Sequence, residues 1–148
     1  MEKIIISAID ERHIPTRAHE TDAWFDVFVS GGNYTIWPKG FMAIGLWVKV
    51  AMPNGIICML LPRSSLFKNY WVLLVNSVGV IDAWYRGEVM MQLYNTTDQY
   101  ITLEEWTKIW QLIFMDYSTD VEFSNKYNSF EEEFPSDRGT WWLGSTGN

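Results

Sequence analysis

The 148-residue sequence lacks the features of several large protein classes. Its single cysteine, Cys58, excludes an intramolecular disulfide and therefore a disulfide-stapled scaffold. No apolar run approaches the roughly 18 residues that a membrane helix needs, and the N-terminal apolar stretch is too short for a signal peptide. Because a chain of this length buries a sizeable core without staples, we expect a soluble, cytoplasmic protein that is not associated with a membrane.

Basic residues are also scarce. Eleven lysines and arginines stand against 18 aspartates and glutamates, which gives a net charge of -7. This balance argues against nonspecific nucleic-acid binding, because such proteins present a basic face. Neither His13 nor His19 has a partner at metal-ligand spacing. We therefore expect both histidines at the surface, assign no metal site to them, and expect any phosphate site to be local.

Short alternating segments rich in β-branched residues are abundant, whereas no long amphipathic helix is evident. Turn signals built from Gly, Pro, Asn and Asp separate these segments. This pattern is typical of an all-β sandwich or barrel. The predicted strands include residues 3–7, 25–29, 46–51, 56–60, 88–94 and 108–114.

Five motifs follow one another from about Ala18 to the C-terminus. They are residues 18–27 (AHETDAWFDV), 61–66 (LPRSSL), 76–88 (NSVGVIDAWYRGE), 108–112 (KIWQL) and 138–147 (RGTWWLGSTG). One of them alone is a weak signal, but five in the right order are a strong one. Together they resemble the trimeric dUTPase family.

The resemblance implies a distorted β-jelly-roll, β-clip-like fold and a homotrimer whose sites are shared between subunits. It implies hydrolysis of dUTP to dUMP and pyrophosphate, which removes dUTP and supplies the precursor of dTMP. Residues 1–115 would form the jelly-roll domain, and residues 116–148 a C-terminal arm that carries the last motif and closes over a site. Without the resemblance, the polar stretch from Asp116 to Asp137 is most simply a partly ordered linker.

Asp82 is the only carboxylate inside residues 76–87. By analogy with the family, it positions and deprotonates the water that attacks the α-phosphorus. The structural alternative is an aspartate that bonds the backbone of its own turn, which is the commoner fate of an isolated loop aspartate.

The resemblance also assigns the base and sugar pocket. The Tyr85 ring would pack against the deoxyribose and exclude a 2′-hydroxyl, although a lone tyrosine is more simply a packing residue. The backbone of Gly79, Val80 and Ile81 would pair with uracil, with Gly79 allowing close approach. Further substrate-lining positions are Asn76 and Met90, of which the methionine is otherwise plain core.

Phosphate contacts are implied for three motifs. Arg63, Ser64 and Ser65 match the second motif, where a guanidinium and hydroxyl groups donate to phosphate oxygens. Gln111 and Lys108 match the fourth motif, although the family usually has arginine at the lysine position, so the bidentate fork is lost. The residues assigned in the last motif are Arg138, Leu143, Gly144, Ser145 and Thr146.

Mg²⁺ is the implied cofactor, held mainly by the substrate triphosphate and water, as hard-cation chemistry favours. Asp26 in the first motif supports the metal indirectly or has a structural role, and the sequence leaves both possibilities open. Two other functions stay open as well. One is that of the related dCTP deaminase, and the other is a catalytically impaired nucleotide-binding or regulatory module.

Tryptophan is unusually frequent, with nine residues. Against the family pattern, seven of them stand where glycine is usual: Trp24, Trp47, Trp71, Trp84, Trp106, Trp141 and Trp142. Glycine at such positions supplies a positive φ or allows close backbone approach, and an indole opposes both. The preferred interpretation is that the gene writes glycine as UGA and the codon has been read as tryptophan. The alternative is that real aromatic side chains stack on bases or form an interface.

Overall fold

The computed structural model describes residues 3–118, 120–123, 125 and 127–135. Residues 1–117 form one compact unit, and residues 118–148 form a second. The strands of the first unit are β1 (Ile5–Ala8), β2 (Trp24–Phe28), β3 (Tyr34–Ile36), β4 (Phe41–Gly45), β5 (Val48–Ala51), β6 (Ile56–Pro62), β7 (Val72–Leu74), β8 (Gly79–Ile81), β9 (Met90–Asn95), β10 (Ile101–Leu103) and β11 (Lys108–Asp116).

Helical structure in the described residues is limited to short elements. The first unit contains a 3₁₀ turn (Glu11–His13) and one helix, α1 (Ser64–Tyr70), and the second contains a 3₁₀ turn (Tyr127–Ser129) and helix α2 (Phe130–Glu133). None of the helices among these residues is long and apolar enough to cross a membrane.

The strands pair antiparallel in four sheets. The largest has the order β2-β11-β6-β8, and β4-β9-β7 forms a three-stranded sheet. The pairs β1-β5 and β10-β3 complete the set. This architecture confirms the predicted all-β class, and each of the six predicted strands overlaps an observed one.

Alternating apolar residues of these strands build the core. Val48 and Val50 on β5, and Cys58 and Leu60 on β6, are buried at every second position, as the pleat requires. Burial raises the pKa of the Cys58 thiol to about 12, which fits an inert core residue. Strands β3, β7 and β10 have only three residues each, too few to display a two-residue period in the sequence.

The surface position expected for His13 is wrong, whereas His19 is exposed. His13 is only 2% exposed. Its Nδ1 lies 2.7 Å from Asp10 Oδ1, and its ring packs between Trp47 and Trp106 with ring centroids at 5.0 and 4.6 Å. Spacing along the sequence missed this burial because residues distant in the chain provide the cover.

Candidate active site

A pocket of about 230 Å³ lies at the third motif. We call it the hairpin pocket. Its lining consists of Asn76, Gly79, Val80, Ile81, Asp82, Tyr85, Val89 and Met90. Strand β8 supplies one wall because Gly79 to Ile81 pair with Leu60 to Cys58 on β6, which anchors the segment to the main sheet. All seven residues that the sequence assigned to base, sugar and catalysis, six in this motif and Met90 just after it, therefore surround one cavity.

Asp82 follows β8 directly, and its carboxylate is fixed by the turn that it begins. Its Oδ1 accepts hydrogen bonds from the backbone N–H groups of Trp84 (2.9 Å) and Tyr85 (3.0 Å). The turn-bonding role is thus physically present. In the described residues these bonds use Oδ1 alone, so Oδ2 keeps its lone pairs available for another donor.

Tyr85 is held by hydrogen bonds at its side-chain hydroxyl and at its backbone. Its hydroxyl donates to the Glu88 carbonyl oxygen at 2.7 Å, and its backbone N–H donates to Asp82. The ring is 41% exposed and lines the pocket. A ring fixed in this way forms a rigid wall, which steric exclusion of a hydroxyl group requires.

Gly79 has a packing reason as well as the proposed ligand-facing one. A Cβ added there would lie 3.2 Å from the Leu60 Cβ on β6, tighter than ordinary van der Waals contact. Glycine at this position therefore brings β8 close to the main sheet.

Sequence reasoning gave no role to Arg86, yet it fastens the same loop. Its guanidinium donates to the carbonyl oxygens of Ala83 (2.6 Å) and Tyr85 (2.7 Å). Glu88 was missed too, and its carboxylate accepts from the backbone N–H of Trp47 at 2.8 Å. The only sign of these roles in the sequence was the polarity of the loop, because the hydrogen bonds of both side chains depend on the path of the folded backbone.

A second group of polar side chains surrounds the buried carboxylate of Asp26 on β2, which is 3% exposed. Its Oδ2 lies 3.2 Å from an Arg63 guanidinium nitrogen and 3.6 Å from Lys108 Nζ. Its Oδ1 accepts from the Gln111 side-chain amide at 3.5 Å. We call these four residues the charged cluster, and it unites members of the first, second and fourth motifs.

Strand pairing assembles this cluster. Gln111 on β11 lies opposite Asp26 on β2, and Lys108 lies opposite Phe28. The backbone N–H of Arg63 donates to the Ile109 carbonyl at 2.9 Å, which anchors the end of β6 beside β11. The Arg63 side chain is 32% exposed, so its guanidinium contacts both the buried carboxylate and solvent.

Ser64 and Ser65 follow Arg63 as the first two residues of α1. Ser64 is exposed and Ser65 is half-buried. Both serines directly follow Arg63 of the charged cluster in the chain, and their phosphate-contacting role stays a prediction. No hydrogen bond or ion pair in the described part of the chain joins the charged cluster to the hairpin pocket.

The residues assigned in the last motif, Arg138, Leu143, Gly144, Ser145 and Thr146, lie outside the described residues, as do Trp141 and Trp142. Their roles stay predictions. Among the described residues, no group of three His, Cys, Asp or Glu side chains could hold a metal ion.

Comparison with known proteins points in one direction. The family model described as dUTPase matches residues 10–147. A deoxyuridine 5'-triphosphate nucleotidohydrolase from Corynebacterium jeikeium is 36% identical over 145 residues, which cover 97% of this chain and 91% of the relative.

Solved structures agree on the fold. The dUTPase of Staphylococcus bacteriophage 80alpha with dUPNHPP has a TM-score of 0.80 at 20% identity, covering 100% of both chains. A mutant dUTPase from phage phi11 of S. aureus, whose structure reveals the coordination of a structural Mg(II) ion, has a TM-score of 0.71 at 20% identity, covering 84% of this chain and 98% of that one. The fold is therefore the jelly-roll-like dUTPase fold, and with its five motifs in order the chain belongs to the dUTPase family.

Proposed function

We propose that this dUTPase-family enzyme hydrolyses dUTP to dUMP and pyrophosphate with Asp82 as the general base. The observation that carries the proposal is the hairpin pocket, in which a fixed carboxylate, a rigid tyrosine and exposed strand backbone converge. Family membership supplies the substrate class. Membership also supports a cytoplasmic location, where nucleoside triphosphates are turned over.

In the proposed reaction, Asp82 accepts a proton from water through its Oδ2 atom. The water oxygen forms a bond to the α-phosphorus, and the bond between that phosphorus and the bridging oxygen breaks, so that pyrophosphate leaves. The two backbone N–H groups on Oδ1 hold the carboxylate in one orientation, which keeps the base aligned without reorganisation.

Base and sugar recognition are proposed for the rest of the hairpin pocket. The backbone groups of Gly79, Val80 and Ile81 offer uracil the donor and acceptor pattern that cytosine reverses. Asn76 and Met90 complete the lining, and Tyr85 blocks a 2′-hydroxyl. Discrimination against ribose then comes from exclusion, because the hydrogen bond to the Glu88 carbonyl oxygen holds the ring in place.

The charged cluster is proposed to bind the phosphates. Arg63 presents unused N–H donors beside the exposed Ser64 hydroxyl, and Lys108 adds a point charge. Asp26 orients both cations and limits their mutual repulsion. When bound, Mg²⁺ supplies further neutralisation of the phosphate charge. A metal held mainly by triphosphate oxygens and water is the arrangement that hard-cation chemistry favours.

A homotrimer with shared sites is proposed for two reasons. The hairpin pocket and the charged cluster are not linked by any bond within the described part of one chain. In addition, a groove of about 500 Å³ is lined by exposed apolar side chains that include Phe41, Leu73, Val75 and Tyr94. Such a surface is typical of one covered by another subunit. Residues 116–148 are proposed as the arm that completes a site.

Pyrophosphate release from dUTP, with dCTP as the control, tests the reaction. Release from dUTP alone supports the proposal, ammonia release from dCTP identifies a deaminase, and nucleotide binding without either product identifies a regulatory module.

Mixing two impaired variants tests whether sites are shared. D82N chains keep the charged cluster, and R63A chains keep the base. If one subunit provides the cluster and another the hairpin, some sites in a co-refolded mixture combine an intact base with an intact cluster, so the turnover of the mixture exceeds the average of its two parents. Turnover equal to that average, together with a monomeric mass by light scattering, would refute the shared-site trimer.

A further inference from the structure

Five non-glycine residues in the described part of the chain have a left-handed backbone, and three of them are tryptophans: Trp47 (φ 56°), Trp71 (φ 55°) and Trp106 (φ 68°). This conformation brings Cβ too close to the following carbonyl oxygen. It is uncommon for any side chain and an outlier for a bulky one. Since tryptophan provides 9 of 148 residues, its share of these positions is far above its share of the chain.

Local structure shows what two of these positions require. Trp71 ends α1 with φ 55° and ψ 31°, and its N–H donates to the Phe67 carbonyl at 2.9 Å. This is a left-handed helix termination, where glycine is preferred. Trp106 is the third residue of a turn closed by the Thr107 N–H on the Glu104 carbonyl at 3.2 Å. A positive φ at that turn position calls for glycine or asparagine.

The backbone of Trp47 is constrained by its partners. Its N–H donates to the Glu88 carboxylate at 2.8 Å, and its carbonyl accepts from the Ile9 N–H at 3.0 Å. The left-handed conformation is therefore imposed by bonds on both sides of the residue, and a side chain there can only adapt to it.

Three of the other described tryptophans are also poorly placed. Trp37 and Trp84 are 50% and 82% exposed, although indole rings normally bury most of their surface. Trp110 is fully buried, yet its indole N–H has no hydrogen-bond partner in the described part of the chain. A buried indole usually finds such a partner.

We propose that positions 47, 71 and 106 carry glycine in the polypeptide that the source organism makes, and that all nine tryptophan positions arise from UGA codons decoded there as glycine. A single difference in decoding changes every such codon at once and leaves glycines written with ordinary codons untouched. It accounts together for the left-handed backbones, the exposed indoles and the unpaired buried N–H group.

The position of the His13 ring favours native tryptophan at 47 and 106. The experiment must therefore distinguish a native aromatic contact from native glycine. The His13 ring lies between Trp47 and Trp106, which resembles an aromatic clamp. If that clamp is native, removing either indole lowers the melting temperature whatever replaces it. If glycine is native, removing the Cβ raises it.

Paired substitutions isolate the backbone effect. Alanine removes the indole and keeps Cβ, whereas glycine removes both. At 47, 71 and 106 each glycine variant is expected to melt above the matched alanine variant, by roughly 3–10 °C. Lys39 also has a left-handed backbone (φ 53°). The difference in melting temperature between K39G and K39A therefore measures the backbone effect where no indole is lost. Position 24, on β2, is the opposite control, where W24A should melt at or above W24G.

The decisive measurement is the identity of the amino acid at each of the three positions. Peptide mass spectrometry of the protein isolated from its source, with the codons read from the gene, is expected to give glycine and UGA at 47, 71 and 106. Tryptophan in any of those peptides, or the codon UGG at any of them, would overturn the proposal. So would glycine variants that melt no higher than their alanine partners.

Discussion

The hairpin pocket and the charged cluster are built in different ways. The pocket is lined by residues that all lie within positions 76–90, and the Asp82 carboxylate bonds the backbone of Trp84 and Tyr85, two and three positions away. The charged cluster joins Asp26, Arg63 and Lys108, which are far apart in the chain and meet only through β2, β6 and β11. The lining of the pocket is therefore one short segment of sequence, whereas the cluster exists only in the folded sheet.

This difference separates the expected consequences of mutation. A change in the pocket alters chemistry or recognition and leaves the sheet intact. A change in the cluster affects both phosphate binding and the stability of the fold. Removing a cation leaves the negative charge of the buried Asp26 carboxylate less compensated.

The largest effect is expected for Asp82→Asn. Asparagine cannot accept the water proton but still accepts the turn N–H groups through its amide oxygen, so kcat should fall roughly 10²- to 10⁴-fold with dUTP binding retained. Steady-state kinetics and equilibrium binding measure the two effects. The matched control is Asp98→Asn, an exposed carboxylate beside Lys39, and unchanged turnover in Asp82→Asn would refute the assignment.

Arg63→Ala is expected to lower kcat/KM roughly 10- to 150-fold, because charge-assisted bonds to phosphate are lost. It should also lower the melting temperature, since Asp26 loses one of its two cations. Arg63→Lys keeps the positive charge but loses the bidentate guanidinium group, so its kcat/KM should lie between the values of the wild type and Arg63→Ala. Lys68→Ala, on the exposed surface of α1, is the control. Equal kinetics for wild type and Arg63→Ala would remove the cluster from substrate binding.

Tyr85→Ala should reduce the preference for dUTP over UTP roughly 10-fold, because the wall against the 2′-hydroxyl disappears. Tyr85→Phe keeps the ring and loses only the bond to the Glu88 carbonyl, so its preference should change less. The ratio of kcat/KM for the two nucleotides measures both. A ratio that stays constant in Tyr85→Ala would make Tyr85 a packing residue.

The smallest effect concerns Asp10, which belongs to neither region and serves as a reference for stability alone. Its side-chain hydrogen bond with His13 is the main cause that lowers its pKa from 3.8 to about 2. A carboxyl whose pKa is lowered on folding stabilises the fold above its ordinary pKa, and that stabilisation is lost as the pH falls through about 2.

The wild-type melting temperature should therefore fall between about pH 4 and pH 2 more steeply than that of Asp10→Asn. Asparagine keeps an acceptor for the Arg12 and His13 N–H groups and no longer titrates. Thermal unfolding across this range checks the expectation. Parallel curves for the two proteins would show that the Asp10–His13 pair contributes nothing to acid stability.

Individual residues show how far sequence reasoning reached. The motif at 76–88 predicted residues that do line one pocket, because a contiguous loop keeps its members together in any compact fold. The same reasoning misplaced His13, because Trp47 and Trp106, which bury it, are distant in the chain. It also overlooked Arg86, because the hydrogen bonds of that side chain to nearby carbonyl oxygens depend on the path of the folded backbone. The sequence left two roles open for Asp26. Only the pairing of β2 with β11 shows which side chains surround its carboxylate.

By itself, the sequence determined the all-β class, the family and the residues of the hairpin pocket, since alternation and motif order are properties of the chain. Only the tertiary structure decided which cations surround Asp26, that His13 is buried, and that three tryptophans occupy left-handed backbone. The physical reason is that the ion pairs of Asp26 and the burial of His13 arise from partners distant in sequence, and that a backbone φ angle is set by the path of the folded chain, through a helix end at Trp71, a turn at Trp106 and distant hydrogen bonds at Trp47.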